Sequence, residues 1–176
     1  MNRKPKCSSV SDVMSRIRSA DTRPELVARH WLWSHGIRYR KNVKSLPGSP
    51  DILIPGARVA IFINGCFWHQ HPGCPDASHP KSNSAFWHDK FARNIRRDDR
   101  VRTELRNLGW RTMVIWECQL KPDVVERTMS SALDLILEAR AELARIRHKS
   151  PTPRVVAYDF DEPDVSSLLY AAEETI

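Results

Sequence analysis

The chain has 176 residues, 41% hydrophobic and 28% charged, enough to bury one core and too few for two, so a single folded domain is expected. No stretch approaches the roughly 18 consecutive apolar residues of a membrane helix, and the basic start MNRKPK has no apolar run behind it. A membrane span and a secretion signal are excluded on this reading, and a soluble, cytoplasmic protein is expected.

The formal net charge is +7, but all 28 Lys and Arg, 20 of them Arg, lie at or before Arg154, whereas Asp159, Asp161, Glu162, Asp164, Glu173 and Glu174 follow it. Positive charge concentrated in this way fits a binder of phosphate backbones, with plain solubility as the alternative. Four cysteines in a chain without a secretion signal argue for thiols, free or metal-bound, and against a disulfide framework.

Residues 11–20 form a short amphipathic piece with Val13, Met14 and Ile17 on one side. The next helix starts at a capping box, Thr22 with Glu25 three residues on, and stops at Gly36; Leu26, His30 and Trp31 are its expected buried face. Residues 39–43 read as a strand, 44–50 as a Pro/Gly/Ser loop, and 51–54 as a second strand. The run RVAIFIN at 58–64 is the strongest strand and is expected to be central in its sheet. A long helix over 84–108 carries Phe86, Phe91, Ile95, Leu105 and Leu108 among basic residues. A last strand over 111–116 follows, and apolar residues at Val125, Met129, Leu133, Ile136 and Leu137 repeat at helical spacing to about residue 148. Three parts are expected: an N-terminal arm at 1–21, a folded domain at 22–148, and an acidic, disordered tail at 149–176.

Residues 65–82, GCFWHQHPGCPDASHPKS, hold too much special chemistry for a connector. Cys66, His71 and Cys74, joined by Cys118 after the last strand, are thiolate and imidazole donors suited to tetrahedral zinc. Four ligands would close the site and make it structural; buried thiols beside an unrelated His are the alternative. Asp51, which follows Pro50, is the lone carboxylate between Glu25 and Asp76 and a candidate ligand for a hard cation such as Mg²⁺, although Asp after Pro is also ordinary turn chemistry.

Proline and aspartate opening a strand resemble the PD-(D/E)xK nuclease core, but Ile63 and Gly65 stand where that core has its third-strand carboxylate and lysine. A narrower family fits better. GCFWHQHPGC at 65–74, PKSN at 80–83 followed by Phe86-Trp87, ARNIRRD at 92–98 and LGWRTMVIWEC at 108–118 resemble the very short patch repair (Vsr) DNA mismatch endonucleases, as do MSRIRSADT followed by Glu25, and LPGSPD ending at Asp51. The resemblance spans about residues 10–140. It implies an α/β, restriction-endonuclease-like core of helix-strand-strand-strand-helix-strand with a zinc-stabilised loop and a C-terminal helix. It also implies a Mg²⁺-dependent enzyme that nicks double-stranded DNA beside a T·G mismatch left by 5-methylcytosine deamination.

Residue by residue, the resemblance makes Asp51 the Mg²⁺ ligand, with the main-chain carbonyl of Ile63 as a second donor. His69 becomes the general base or water-positioning imidazole, Asp98 its orienting carboxylate, and Glu25 an acidic neighbour of the metal, where its capping role is an equal explanation. Phe67, Trp68 and Trp87 fall where the family places aromatic wedges entering the DNA stack, and Met14 and Ile17 match a helix laid against the opposite groove. Asn64 departs from the histidine common in the family; it offers a hydrogen bond but exchanges no proton near neutral pH. A monomer is expected, linked in function to a cytosine methyltransferase and mismatch-repair proteins. A site-specific restriction-type endonuclease of the same fold, and a non-catalytic zinc-containing DNA-binding module, are the competing readings.

Overall fold

The computed structural model describes residues 20–149, the side chain of Lys149 excepted. Met14, Ile17 and the helix expected over 11–20, like the acidic tail, lie outside the described residues apart from their innermost positions.

Helix α1 is Arg23–Ser34, with Thr22 as N-cap, the capping box to Glu25 formed and Pro24 in the first turn. Strands β1 (Arg40–Lys41), β2 (Ile52–Ile54) and β3 (Val59–Asn64) follow, then a short helix α2 (Cys66–His69), the long α3 (Ser84–Asn107), β4 (Arg111–Trp116) and α4 (Val125–Lys149). The sheet order is β1-β2-β3-β4. The first two pairings are antiparallel, Leu53 lying opposite Ala60, and β3 pairs β4 in parallel with Asn64 opposite Trp116. The parallel pair requires a crossover, and α3 supplies it. The expected element order therefore holds.

Side chains alternate across β3 because a strand repeats every two residues. Val59 and Ile61 enter the larger core with Ala28, Trp31 and Leu32 of α1 and Met129, Ala132 and Ile136 of α4. The Trp31 indole N–H donates to Glu126 at 2.8 Å and ties the two helices together. On the opposite face Ala60 and Phe62 meet Leu53 and, from α3, Val101 and Leu105.

Three helical phases differ from expectation. In α1, Leu26 and His30 are exposed, while Glu25, Ala28, Arg29 and Leu32 form the buried stripe. A buried Glu25–Arg29 ion pair at 2.8 Å sets that phase, and hydropathy alone points elsewhere. In α3 the inward residues are Trp87, Phe91, Val101 and Leu105, and Phe86, Ile95 and Leu108 are exposed. In α4 the small residues Ala132 and Ala139 are buried and Leu137 is exposed. Strand β1 keeps only two residues of the five expected. No helix among the described residues is long and apolar enough to cross a membrane.

Candidate active site and metal centre

A cleft of about 880 Å³ opens between the α3 face of the sheet and α3 itself. Its walls include Glu25, Asp51, Ile63, Asn64, His69 and Asp98, so all the residues singled out for catalysis meet in one place. Three features of the chain bring them there. Asp51 stands at the entry to β2, and Asn64 closes β3. Gly65 then caps α2, which carries His69 to the cleft wall. The third wall is α3, where positions 87, 91, 94, 98, 101 and 105 form one stripe; it is apolar at both ends and polar at Asn94 and Asp98. Asn94 Nδ2 donates to the Trp68 carbonyl at 2.8 Å and fixes α2 against α3.

His69 Nδ1 lies 2.5 Å from Asp98 Oδ2, both side chains being largely shielded from water. Asp51 Oδ2 accepts the Ile63 N–H at 2.7 Å. Burial raises the Asp51 carboxyl from 3.8 to about 6; the Ile63 N–H opposes the rise, nearby Glu25 adds to it, and Arg29 and His69 counter it. Asn64 is buried at the end of β3. The loop before Asp51 depends on Gly48 at φ +70, where a Cβ would stand 2.4 Å from Val101 Cγ1. Any side chain at that position would push the loop off α3 and displace Asp51 with it.

Glu25 is saturated. Its two oxygens accept the Asp21 N–H at 3.0 Å, the Thr22 N–H at 3.3 Å, the Thr22 hydroxyl at 2.7 Å and an Arg29 N–H at 2.8 Å. Reading the sequence for chemistry overlooked Arg29, because an Arg in an amphipathic helix is usually solvated. It also overlooked Lys90, Asn94, Arg97, Arg102 and Glu117, which line the same cleft. The signal for the α3 residues was available in the spacing of the polar positions along the inward stripe; Glu117 stood inside the WEC motif.

The second cluster lies at the far end of α2. The donor atoms of Cys66, His71, Cys74 and Cys118 lie within 4.8 Å of one another. His71 Nδ1 is 3.7 Å from Cys66 Sγ and 3.4 Å from Cys118 Sγ. Tetrahedral zinc with bonds of about 2.3 Å to sulfur and 2.0 Å to nitrogen needs S···N separations of about 3.5 Å, so the set fits that ion. Burial raises the Cys66 and Cys118 thiols, and a bound cation is what would let neighbouring sulfurs ionise together. The His71 ring stacks on Trp116 at 4.2 Å, which orients it.

Phe67, Trp68 and Trp87 form one aromatic group with Phe91; the Phe67 ring is 5.2 Å from Trp68 and 5.4 Å from Trp87. Phe67 and Trp68 are half-buried, and Trp87 is buried. Trp87 thus forms a platform under Phe67 and would have to swing out to enter a base step.

The family model described as DNA mismatch endonuclease Vsr matches residues 6–76. A type II nicking enzyme of Neisseria meningitidis, V.NmeAIP, is 42% identical over 120 residues, covering 68% of this chain and 85% of the relative. V.XorIIP of Xanthomonas oryzae, also a type II nicking enzyme, is 42% identical over 69% of this chain and 90% of its own length. The DNA mismatch endonuclease Vsr of Escherichia coli is 38% identical over 61% of this chain and 69% of that protein. With these matches on an α/β sheet whose cleft gathers carboxylates and a paired histidine, the chain belongs to the Vsr DNA mismatch endonuclease family and is a DNA endonuclease.

Proposed function

We propose that the protein nicks one strand of double-stranded DNA beside a T·G mismatch, with Mg²⁺ as catalytic cation, and so initiates very short patch repair. The observation that carries this reading is the cleft in which Asp51 and Ile63 stand beside the His69–Asp98 pair. An ionised Asp98 only accepts hydrogen bonds, so Nδ1 of His69 carries a proton and donates it. Nε2 is then the basic nitrogen, suited to take a proton from a water attacking phosphorus.

The Asp51 carboxylate and the Ile63 carbonyl are hard oxygen donors that suit Mg²⁺. Bound there, the ion would supply positive charge against the charge that develops on the phosphoryl oxygens. Asn64 positions water or phosphate through its amide. Phe67 and Trp68, with Trp87 beneath them, are the wedge, because a mispaired step costs less to unstack than a matched one. Met14 and Ile17 would hold the opposite groove. The ion at Cys66, His71, Cys74 and Cys118 is zinc in this reading and is structural, because four protein ligands leave no open position. The protein acts as a monomer in the cytoplasm, alongside a cytosine methyltransferase and mismatch-repair proteins.

The restriction-type reading predicts double-strand cuts, whereas the relatives carry the name nicking enzyme, which favours single-strand cleavage. Membership of an endonuclease family sets the non-catalytic module aside. The test is incubation of T·G and C·G duplexes in several flanking contexts with purified protein, with and without Mg²⁺. One nick in T·G duplexes alone is expected, and Asp51→Ala should lower its rate by about 1,000-fold or more while DNA affinity stays within a factor of about 3. Double-strand breaks in matched DNA would favour the restriction reading. Nicking by Asp51→Ala at the wild-type rate would overturn the metal assignment.

A further inference from the structure

Arg29 is the buried charge that neither the family resemblance nor the catalytic reading uses. It is 4% exposed, and its guanidinium reaches four residues of the chain. One terminal nitrogen donates to Asp21 Oδ1 at 2.5 Å. The other shares its two hydrogens among Glu25 Oε2 at 2.8 Å, Asn42 Oδ1 at 3.2 Å and the main-chain carbonyl of Asp51 at 3.1 Å. The Asn42 N–H faces the same Asp51 carbonyl at 3.4 Å. A solvent-facing arginine could contact a DNA phosphate, but this one is enclosed and its terminal nitrogens are committed to protein oxygens.

Two of its partners, Asp21 at φ +54 and Asn42 at φ +48, occupy the left-handed region, which Asp and Asn adopt more readily than other non-glycine residues. The Arg29 fork contacts the side chains of both turn residues. The fork also spans what a lysine could not: a planar guanidinium presents donors in several fixed directions, whereas an ammonium is a point charge. Glu25, whose oxygens are filled by four donors, fits this role as the acidic partner of Arg29 better than it fits direct ligation of a cation.

We infer that Arg29 is a positioning residue for the metal-binding carboxylate: through the Asp51 carbonyl, Glu25, Asp21 and Asn42 it holds the entry to β2 at the one spacing from β3 that leaves Asp51 and Ile63 able to share a divalent cation. The inference rests on the reading of Asp51 as a cation ligand. It requires that loss of the fork weaken cation binding first, with little effect on the attack once the cation site is saturated.

Mn²⁺ binding to the full chain, followed through the free-ion paramagnetic resonance signal, tests this alongside Mg²⁺ titrations of single-turnover nicking. Arg29→Lys keeps the charge and loses the fork. Arg29→Met with Glu25→Gln removes both partners of the buried pair, so no unpaired charge is left to unfold the chain. Both variants should raise the Mn²⁺ dissociation constant and the Mg²⁺ half-saturation point by about tenfold or more, with the saturated rate of Arg29→Lys within a factor of about 3 of wild type. Adding Arg29→Lys to Asp51→Ala should change Mn²⁺ binding by less than about twofold, because the two act through one ligand. If Asp51→Ala weakens Mn²⁺ binding and both Arg29 variants, folded by their melting curves, bind as wild type, the inference is wrong. If Asp51→Ala itself leaves Mn²⁺ binding unchanged, the reading of Asp51 as ligand fails first.

Discussion

The two faces of the sheet are built to opposite specifications from one strand. Val59 and Ile61 point into a continuous apolar core closed by α1 and α4, whereas Ala60 and Phe62 point to a thinner layer under α3 that gives way to polar groups from Asn64 onward. The α4 side excludes water and supplies rigidity. The α3 side stops packing before its end, and the unfilled length is the cleft. A strand whose register is pinned by one buried face can hold polar groups on the other at fixed positions, because a slip of one residue would exchange the two faces.

The largest effect that would break this contrast is expected at the cluster of Cys66, His71, Cys74 and Cys118, which could hold a metal ion. Stripping the ion, or Cys118→Ser, should lower the melting temperature and the solubility together, since a structural zinc site contributes on the order of 10 kcal/mol. Metal analysis of protein purified without added zinc should give one zinc per chain; folded, active protein with none would refute the site.

Next in size is the His69–Asp98 pair. His69→Ala should lower the single-turnover nicking rate by about 10²–10⁴-fold, and Asp98→Asn by less because the imidazole remains. Neither should shift the melting temperature by more than a few degrees. A rate for Asp98→Asn below that of His69→Ala would reverse the roles.

On the packed face, Met129→Ala should cost about 2–5 kcal/mol of stability, read from denaturant midpoints, with DNA affinity unchanged at temperatures where the variant is folded. A cost below about 1 kcal/mol would mean that the α4 side is looser than its burial suggests.

The Asp51 carboxyl sharpens the contrast through pH. Its value in the fold, about 6, lies above the unfolded 3.8, so folding favours the protonated form. That contribution is whole below about pH 4, fades as pH rises and is lost above about pH 6. The metal-free chain should therefore lose on the order of 2–3 kcal/mol across this window, and Asp51→Asn should remove that slope when denaturant midpoints are compared. An identical slope in both proteins would show that the carboxyl is solvated.

The smallest effect is at Asn64. Asn64→Ala should cost about 1–3 kcal/mol of transition-state stabilisation, the range for one hydrogen bond to a charged group, and Asn64→His should be tolerated or activating. A defect as deep as that of His69→Ala would overturn the division of labour between them.

Much of this was legible before any coordinates. The capping box at Thr22 and Glu25, the RVAIFIN strand and the grouping of Cys66, His71, Cys74 and Cys118 are signals of residue type and spacing, and each stands where the residues imply. The helix phases were less legible. Leu26 and His30 misled because the buried stripe of α1 runs through a charged pair, and hydropathy counts a charge as outside whether or not it is paired. The resemblance makes Trp87 one of the aromatic wedges; in the fold its ring is buried against Phe67 and Phe91.

The sequence by itself determined the element order, the donor types that meet in the Cys/His cluster and the family, because capping, alternation and donor chemistry are properties of residues and their spacing. Only the tertiary structure decided that Arg29 reaches the Asp51 carbonyl, that Glu25 is filled by four donors, and that Glu117 shares the cleft. Those facts depend on which face of each helix turns inward. That choice is made by the packing of whole elements against the sheet, where a paired charge can occupy a place that composition would assign to a hydrophobic side chain.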